Sequence, residues 1–177
     1  MIYLHRPKLK KKSIKECNKV LSTNWVSTGG KYITKFENNV KKIVGTKYAV
    51  SFTNCTSALH ISLKLCGANK DSDILLPSTS FIATANSILY NNSNPFFLDV
   101  SKDLNLDVDK AIQFLDKQTY RKRKFTYNKI TKRKISCLLI VHIFGSPLDK
   151  IEKLKKKCKE KNIFLVEDCA ESLGSYH

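Results

Sequence analysis

CLLIVHIFGSPLDKIEKLKKKCKEKNIFLVED, residues 137–168, reads as strand, helix, strand. The first run, 137–144, is apolar almost throughout. The last, 163–168, is apolar until its final two residues, Glu167 and Asp168. Strands that do not alternate with polar residues are covered on both faces, which is the habit of parallel sheets. Between them, 147–161 has apolar residues at helical spacing, lysines elsewhere and Pro147 at its predicted first turn. A strand, a covering helix and a second strand in this order make a right-handed crossover.

The same grammar extends toward the N-terminus. YAVSF (48–52), DILLP (73–77) and PFFLDV (95–100) are predicted strands. Helices are predicted over Thr56–Cys66, Phe81–Tyr90 and Asp107–Phe114. In the first of these Leu59, Ile61, Leu63 and Leu65 are expected to be buried in part, with Gly67 as the stop. The predicted fold is therefore α/β, a mostly parallel sheet with helices on both faces, and ligands are expected beyond the strands' C-terminal ends. Ahead of it lie two short amphipathic helices, 10–23 and 34–44. In the second, Phe36, Val40, Ile43 and Val44 share a face and Gly45 ends the helix. Between the two runs the glycine-containing loop NWVSTGGKY. Residues 117–134 carry nine basic side chains and no acid, and are expected to form an extended surface loop or hairpin.

A chain of 177 residues, 42% of them hydrophobic, can bury one core, so a single domain over 1–177 is expected. No apolar run reaches membrane-spanning length, and the basic start MIYLHRPKLKKK lacks a secretory core, so a cytoplasmic location without a membrane partner is expected. Six cysteines without a C-x-x-C pair read as reduced thiols. The net charge of +17 reads mainly as solvated helix faces and compositional bias. Nucleic acid is not expected as a partner, because 117–134 contains no known base-reading pattern.

Three segments place reactive groups at strand ends. In SFTNCTSALH a helix opens at Thr56 and Ser57, where free N–H groups and small side chains could cradle a phosphate. Thr56 could equally be only an N-cap. In PSTSFIATANSI, Phe81 stands four residues after Pro77, where it could stack on a planar ring or join the core. In VEDCAESLGS, Asp168 ends an apolar strand. It could meet a protonated ring nitrogen or cap a helix, and Glu171 is expected to point back to the same edge. Histidines 5, 60, 142 and 177 show no ligand spacing, so no metal site is expected. His142, at a strand end, reads as a loop-orienting group.

In order and in register, NWVSTGGKY, TNCTSALHISL, PSTSFIATANSI, VHIFGSPLDKIEKL and VEDCAESLGS resemble the DegT/DnrJ/EryC1/StrS family. These are sugar-nucleotide aminotransferases that use pyridoxal 5'-phosphate. FTYNKITKRKIS further resembles the branch that aminates 4-keto-6-deoxy sugar nucleotides for nonulosonic acids such as legionaminic acid. The resemblance implies that Thr56 and Ser57 bind the cofactor phosphate, Phe81 stacks on the ring and Asp168 pairs with the ring nitrogen. Glu171, where many relatives have Gln, would lie near the ring oxygen. Trp25 and Ser27 would lie near a nucleotide-sugar substrate. Glutamate as amino donor and a homodimer are implied for the complete enzyme.

In the family the Schiff-base lysine lies well downstream of the strand-end Asp. Nine residues follow Asp168 here, and none is lysine. The expectation is an N-terminal portion of the enzyme, holding most of the cofactor-binding large domain without the small domain and inactive by itself. The alternative is a non-catalytic partner module completed by a separate chain.

Overall fold

The computed structural model describes residues 8–25 and 27–175. The chain divides into two compact units, Met1–Ser51 and Phe52–His177. The first contains helices α1 (Lys11–Leu21) and α2 (Lys31–Val44). Gly45 ends α2 in the left-handed region at φ 73°, its N–H bonded to the Lys41 carbonyl at 2.9 Å. Neither helix buries a residue, and Phe36, Ile43 and Val44 on the predicted apolar face remain exposed.

The predicted strand 48–52 does not form. Tyr48, Val50 and Phe52 are exposed, and no residue of the stretch joins a ladder. A strand exists only where a neighbour supplies partners for its backbone groups. Here the Ser51 N–H instead donates to the Glu37 carboxylate at 2.9 Å.

The second unit holds the predicted α/β layers. In chain order it runs α3 (Cys55–Leu65), β1 (Ser72–Pro77), α4 (Ile82–Leu89), β2 (Asn94–Leu98), α5 (Val108–Lys117), β3 (Thr119–Lys122), β4 (Phe125–Asn128), β5 (Lys134–Val141), α6 (Ile151–Glu160) and β6 (Phe164–Asp168). β2, β1, β5 and β6 lie side by side, all parallel. β3 and β4 form an antiparallel hairpin that touches β5 at Tyr127 and Lys134, the start of that strand. Of the extended loop or hairpin expected for the basic stretch, the structure has the hairpin.

Alternation within β1 divides the core. Ile74 and Leu76 pack with Leu59, Leu63, Ile88, Cys137 and Leu139 on one face, while Leu75 packs with Leu115, Leu138, Ile140 and Leu154 on the other. Both faces are covered, and this explains why the strands read as unbroken apolar runs. The helix α3 contributes only Leu59 and Leu63 to the core, leaving Ile61 and Leu65 exposed. A bulge opposite the Asp73–Ile74 step inserts Ser136 into β5, whose hydroxyl donates to the Gly67 carbonyl at 3.1 Å. The inserted residue resets the alternation, so Ile135 and Leu138 face the same layer.

The predicted boundaries of β5 and α6 move. β5 stops at Val141, not 144, and the chain turns through a short 3-10 segment, Ile143–Gly145. α6 begins at Ile151, leaving Pro147 in the preceding loop. Phe144, Gly145 and Lys150 adopt positive φ, which neither a strand nor a helix tolerates.

Candidate functional site

Parallel strands bring their C-terminal ends to one edge of the sheet. There a cavity of about 310 Å³ opens, lined among others by Thr56, Phe81, Thr84, His142, Asp168 and Glu171. Four of the five expected cofactor residues therefore meet: Thr56, Phe81, Asp168 and Glu171. Ser57 stands beside Thr56 in the first turn of α3 but does not line the cavity.

Asp168 is the anchor. It ends β6 opposite Val141 and is 6% exposed. Three elements supply donors to its carboxylate. Oδ1 accepts from the Ala170 N–H at 3.2 Å and faces the Cys55 thiol at 3.7 Å. Oδ2 accepts from the Thr84 hydroxyl at 3.0 Å. Thr84 lies on α4 and is itself 1% exposed. Burial, with the charge of Asp168 beside it, pushes the Cys55 thiol up to about 11, so it stays protonated and able to donate. A buried carboxylate without donors would carry a large desolvation cost, and this set offsets it. Asp168 is no helix cap: it is followed by a turn.

The first turn of α3 is the anion-favouring end of a helix. Asn54, not Thr56, is its N-cap, accepting the Ser57 N–H at 2.8 Å. That leaves the Thr56 side chain and the N–H groups of Cys55 and Thr56 without intrahelical partners. Phe81 precedes α4 and is 74% exposed, so it is not a core residue. Glu171 points to the same edge, but its Oε2 accepts the Phe144 N–H at 2.8 Å. One carboxylate oxygen is thus engaged in holding the 142–146 turn.

His142 organises that turn. Its Nδ1 accepts the Leu148 N–H at 3.0 Å, which places the neutral ring's hydrogen on Nε2, 3.2 Å from Glu167 Oε2. The donor atoms of His142, Glu167 and Cys169 lie within 4.8 Å of one another, a grouping that spacing in the sequence did not disclose. Ligation through Nε2 would need the hydrogen on Nδ1, against the Leu148 N–H, so the backbone opposes a metal there.

Trp25 and Ser27 belong to the first unit. They line a cavity of about 520 Å³ with Gly29, Gly30 and Lys31. The Trp25 ring N–H donates to the Gly29 carbonyl, and the Gly29 N–H meets the Ser27 hydroxyl at 3.5 Å.

Thr84 and Cys55 were missed at the sequence stretch that contains them. Nothing in ATAN or TNCT alone says that a hydroxyl and a thiol will converge on a carboxylate 84 and 113 residues away.

These elements fit a flat, nitrogen-protonated ring bearing a phosphate. A buried carboxylate faces the cavity, an exposed aromatic side chain flanks it, and a helix N-terminus opens beside it.

Residues 7–177 match the family model described as the DegT/DnrJ/EryC1/StrS aminotransferase family. The chain is 30% identical over 174 residues to GDP-perosamine synthase of Escherichia coli O157:H7, covering 98% of this chain and 43% of the relative. It is 31% identical over 176 residues to GDP-perosamine synthase of Vibrio cholerae, covering 99% and 43%. Among solved structures it resembles an aminotransferase of Helicobacter pylori involved in the biosynthesis of pseudoaminic acid, with TM-score 0.75 and 26% identity, covering 97% of this chain and 42% of that one. An aminotransferase from Psychrobacter cryohalolentis superposes with TM-score 0.79 at 22% identity, covering 97% and 40%. The chain thus spans about 43% of the length of these curated relatives.

Proposed function

The chain belongs to the DegT/DnrJ/EryC1/StrS aminotransferase family, and on that premise we propose that its sheet edge is the ring-binding part of a pyridoxal 5'-phosphate site. The complete enzyme would move an amino group from glutamate to the keto carbon of a nucleotide-linked 4-keto-6-deoxy sugar, working as a homodimer. The observation that carries this reading is the buried Asp168 carboxylate, held by three donors at the wall of a cavity that Phe81 and Thr56 also line.

When bound, the cofactor supplies an electron sink for amino-group exchange. The work of this chain's residues is positioning and electrostatics. Asp168 holds a proton on the ring nitrogen, its negative charge stabilising the cationic ring. Thr84, Cys55 and the Ala170 N–H fix the rotamer of that carboxylate. Phe81 covers one ring face and keeps water from it. Thr56, with Ser57 beside it, would meet the phosphate at the α3 N-terminus, where the helix dipole favours the anion. Glu171 would lie near the ring oxygen, and Trp25 and Ser27 would meet the sugar nucleotide.

The test uses pyridoxamine 5'-phosphate, which needs no lysine for binding. Equilibrium dialysis should show saturable binding to the chain. Asp168→Ala and Phe81→Ala should each weaken it at least tenfold, about 1.4 kcal/mol, with circular dichroism unchanged. Equal binding by Asp168→Ala, or none by the parent chain, would refute the proposal.

A further inference from the structure

The hairpin β3–β4 lies at the opposite edge of the sheet from the cofactor cavity. It meets β5 at Lys134, whereas the cavity is reached at Val141, roughly 23 Å away at about 3.3 Å per strand residue. Its chemistry is therefore not explained by the aminotransferase site.

Two faces of the hairpin differ. Residues opposite one another in an antiparallel pair share a face. Thr119, Asn128 and Thr126 are buried on one side. The other side carries the pairs Tyr120–Tyr127 and Lys122–Phe125. The two tyrosine rings stack with centroids 5.6 Å apart and planes 23° from parallel. Lys134 Nζ stands 4.3 Å from the Phe125 ring centroid, and Lys124 Nζ stands 5.4 Å from it. The outward face is thus a short aromatic platform edged with cations.

Those cations lack counter-charges. Elsewhere in the unit, Lys110, Lys150, Lys153, Lys157 and Lys161 pair with Asp99, Asp109 and Asp116. Among the described residues none of the nine basic side chains of 117–134 makes such a pair. An uncompensated positive charge of nine over eighteen residues calls for a polyanion. The aromatic platform selects which one. Rings stack on unpaired bases, whose faces a duplex hides. An anionic bilayer would instead favour an apolar tip, and the hairpin turn here is Arg123–Lys124. We propose that the outward face of the β3–β4 hairpin is a binding surface for single-stranded nucleic acid. Sequence-independent contacts are made by Tyr120, Tyr127 and the cations Lys122 and Lys124 beside Phe125.

Fluorescence anisotropy with a labelled 20-nucleotide oligo-dT tests this at 50 mM and 200 mM salt. The chain should bind the single strand more tightly than a 20-base-pair duplex, and more tightly than phosphatidylcholine vesicles containing phosphatidylserine. Tyr120→Ala with Tyr127→Ala should weaken binding about tenfold or more, and Tyr120→Phe with Tyr127→Phe should restore it. Lys122→Gln with Lys124→Gln should lower the slope of log K against log salt by about 1.4. Lys155→Gln with Lys156→Gln on α6 removes equal charge and should change little. The proposal is overturned if the α6 pair weakens binding as much as the Lys122 and Lys124 pair. It is equally overturned if the Phe and Ala tyrosine variants behave alike while the melting temperature is unchanged, if duplex or vesicles bind better than the single strand, or if no binding occurs at 50 mM salt.

Discussion

Asp73 carries a structural load that its exposed-looking sequence context, NKDSDILLP, conceals. It is the second residue of β1 and is fully buried. Oδ1 accepts from Asn94 Nδ2 at 2.8 Å, which ties β1 to β2. Oδ2 accepts from Asn128 Nδ2 at 2.8 Å and from the Thr131 hydroxyl, which ties β1 to the end of the hairpin. Hydrogen bonds to a charged group contribute about 1.5–3 kcal/mol each, and a buried donor left unpaired costs about 1–3 kcal/mol. Asn94 and Thr131 are only half-buried and can regain water, whereas Asn128 is fully buried and has no such route. Asp73→Ala should therefore lose about 3–5 kcal/mol, less than the three bonds summed. Asp73→Asn keeps the shape but turns an NH2 toward one of the three donors, and should lose about 2–3 kcal/mol. Urea unfolding followed by circular dichroism reads both, and hydrogen exchange at the amides of Asn128 and Lys132 reports whether the hairpin end loosens first. An Asp73→Ala chain within about 0.5 kcal/mol of the parent, with unchanged exchange at those amides, would refute the reasoning that this carboxylate joins hairpin to sheet.

Two further outcomes follow from local geometry. Gly145 sits at φ 78°, and a Cβ there would meet the Glu171 carbonyl oxygen at 2.9 Å, so Gly145→Ala should cost roughly 1–3 kcal/mol and shift the turn beside the cavity. Thermal melts should show the loss, and an unshifted melting temperature would contradict it. Asp109 is held by Lys150 and Lys153 at about 2, below the usual 3.8. A depressed carboxylate stabilises the fold above its unfolded value and loses that contribution as pH falls from about 3.8 to about 2. The difference in urea midpoint between the parent and Asp109→Asn should thus be present at pH 5, shrink toward pH 2, and be reduced in 1 M salt because the pairs are exposed. A pH-independent difference would show that the ion pairs do not cause it.

The unbroken apolar runs at 73–77 and 137–141 announced a parallel sheet because both faces of each are covered, and burial on two faces leaves no polar positions. The sheet-edge site was legible in part for the same reason: a carboxylate at the end of one apolar strand and an aromatic residue after another must reach one edge, whereas the strand expected before Thr56 does not form. Strand 48–52 was misread because its composition suits a strand but among the described residues its ladder has no partner, and pairing is a property of two segments. The α6 start was misread because Pro147 suits a first helical turn, while His142 bonding back to Leu148 keeps the chain in a loop.

By itself the sequence determined the layer architecture, an extended loop or hairpin at the basic stretch, and the strand ends near which Phe81 and Asp168 stand. Periodicity, turn residues and connection handedness are local, and local rules suffice for those. Only the tertiary structure decided that Thr84 and Cys55 hold the Asp168 carboxylate, that Glu171 is engaged with Phe144, and that Asp73 joins the hairpin to the sheet. Each of those is a contact between residues far apart in the chain, and such contacts exist only once packing has brought separate elements to bonding distance.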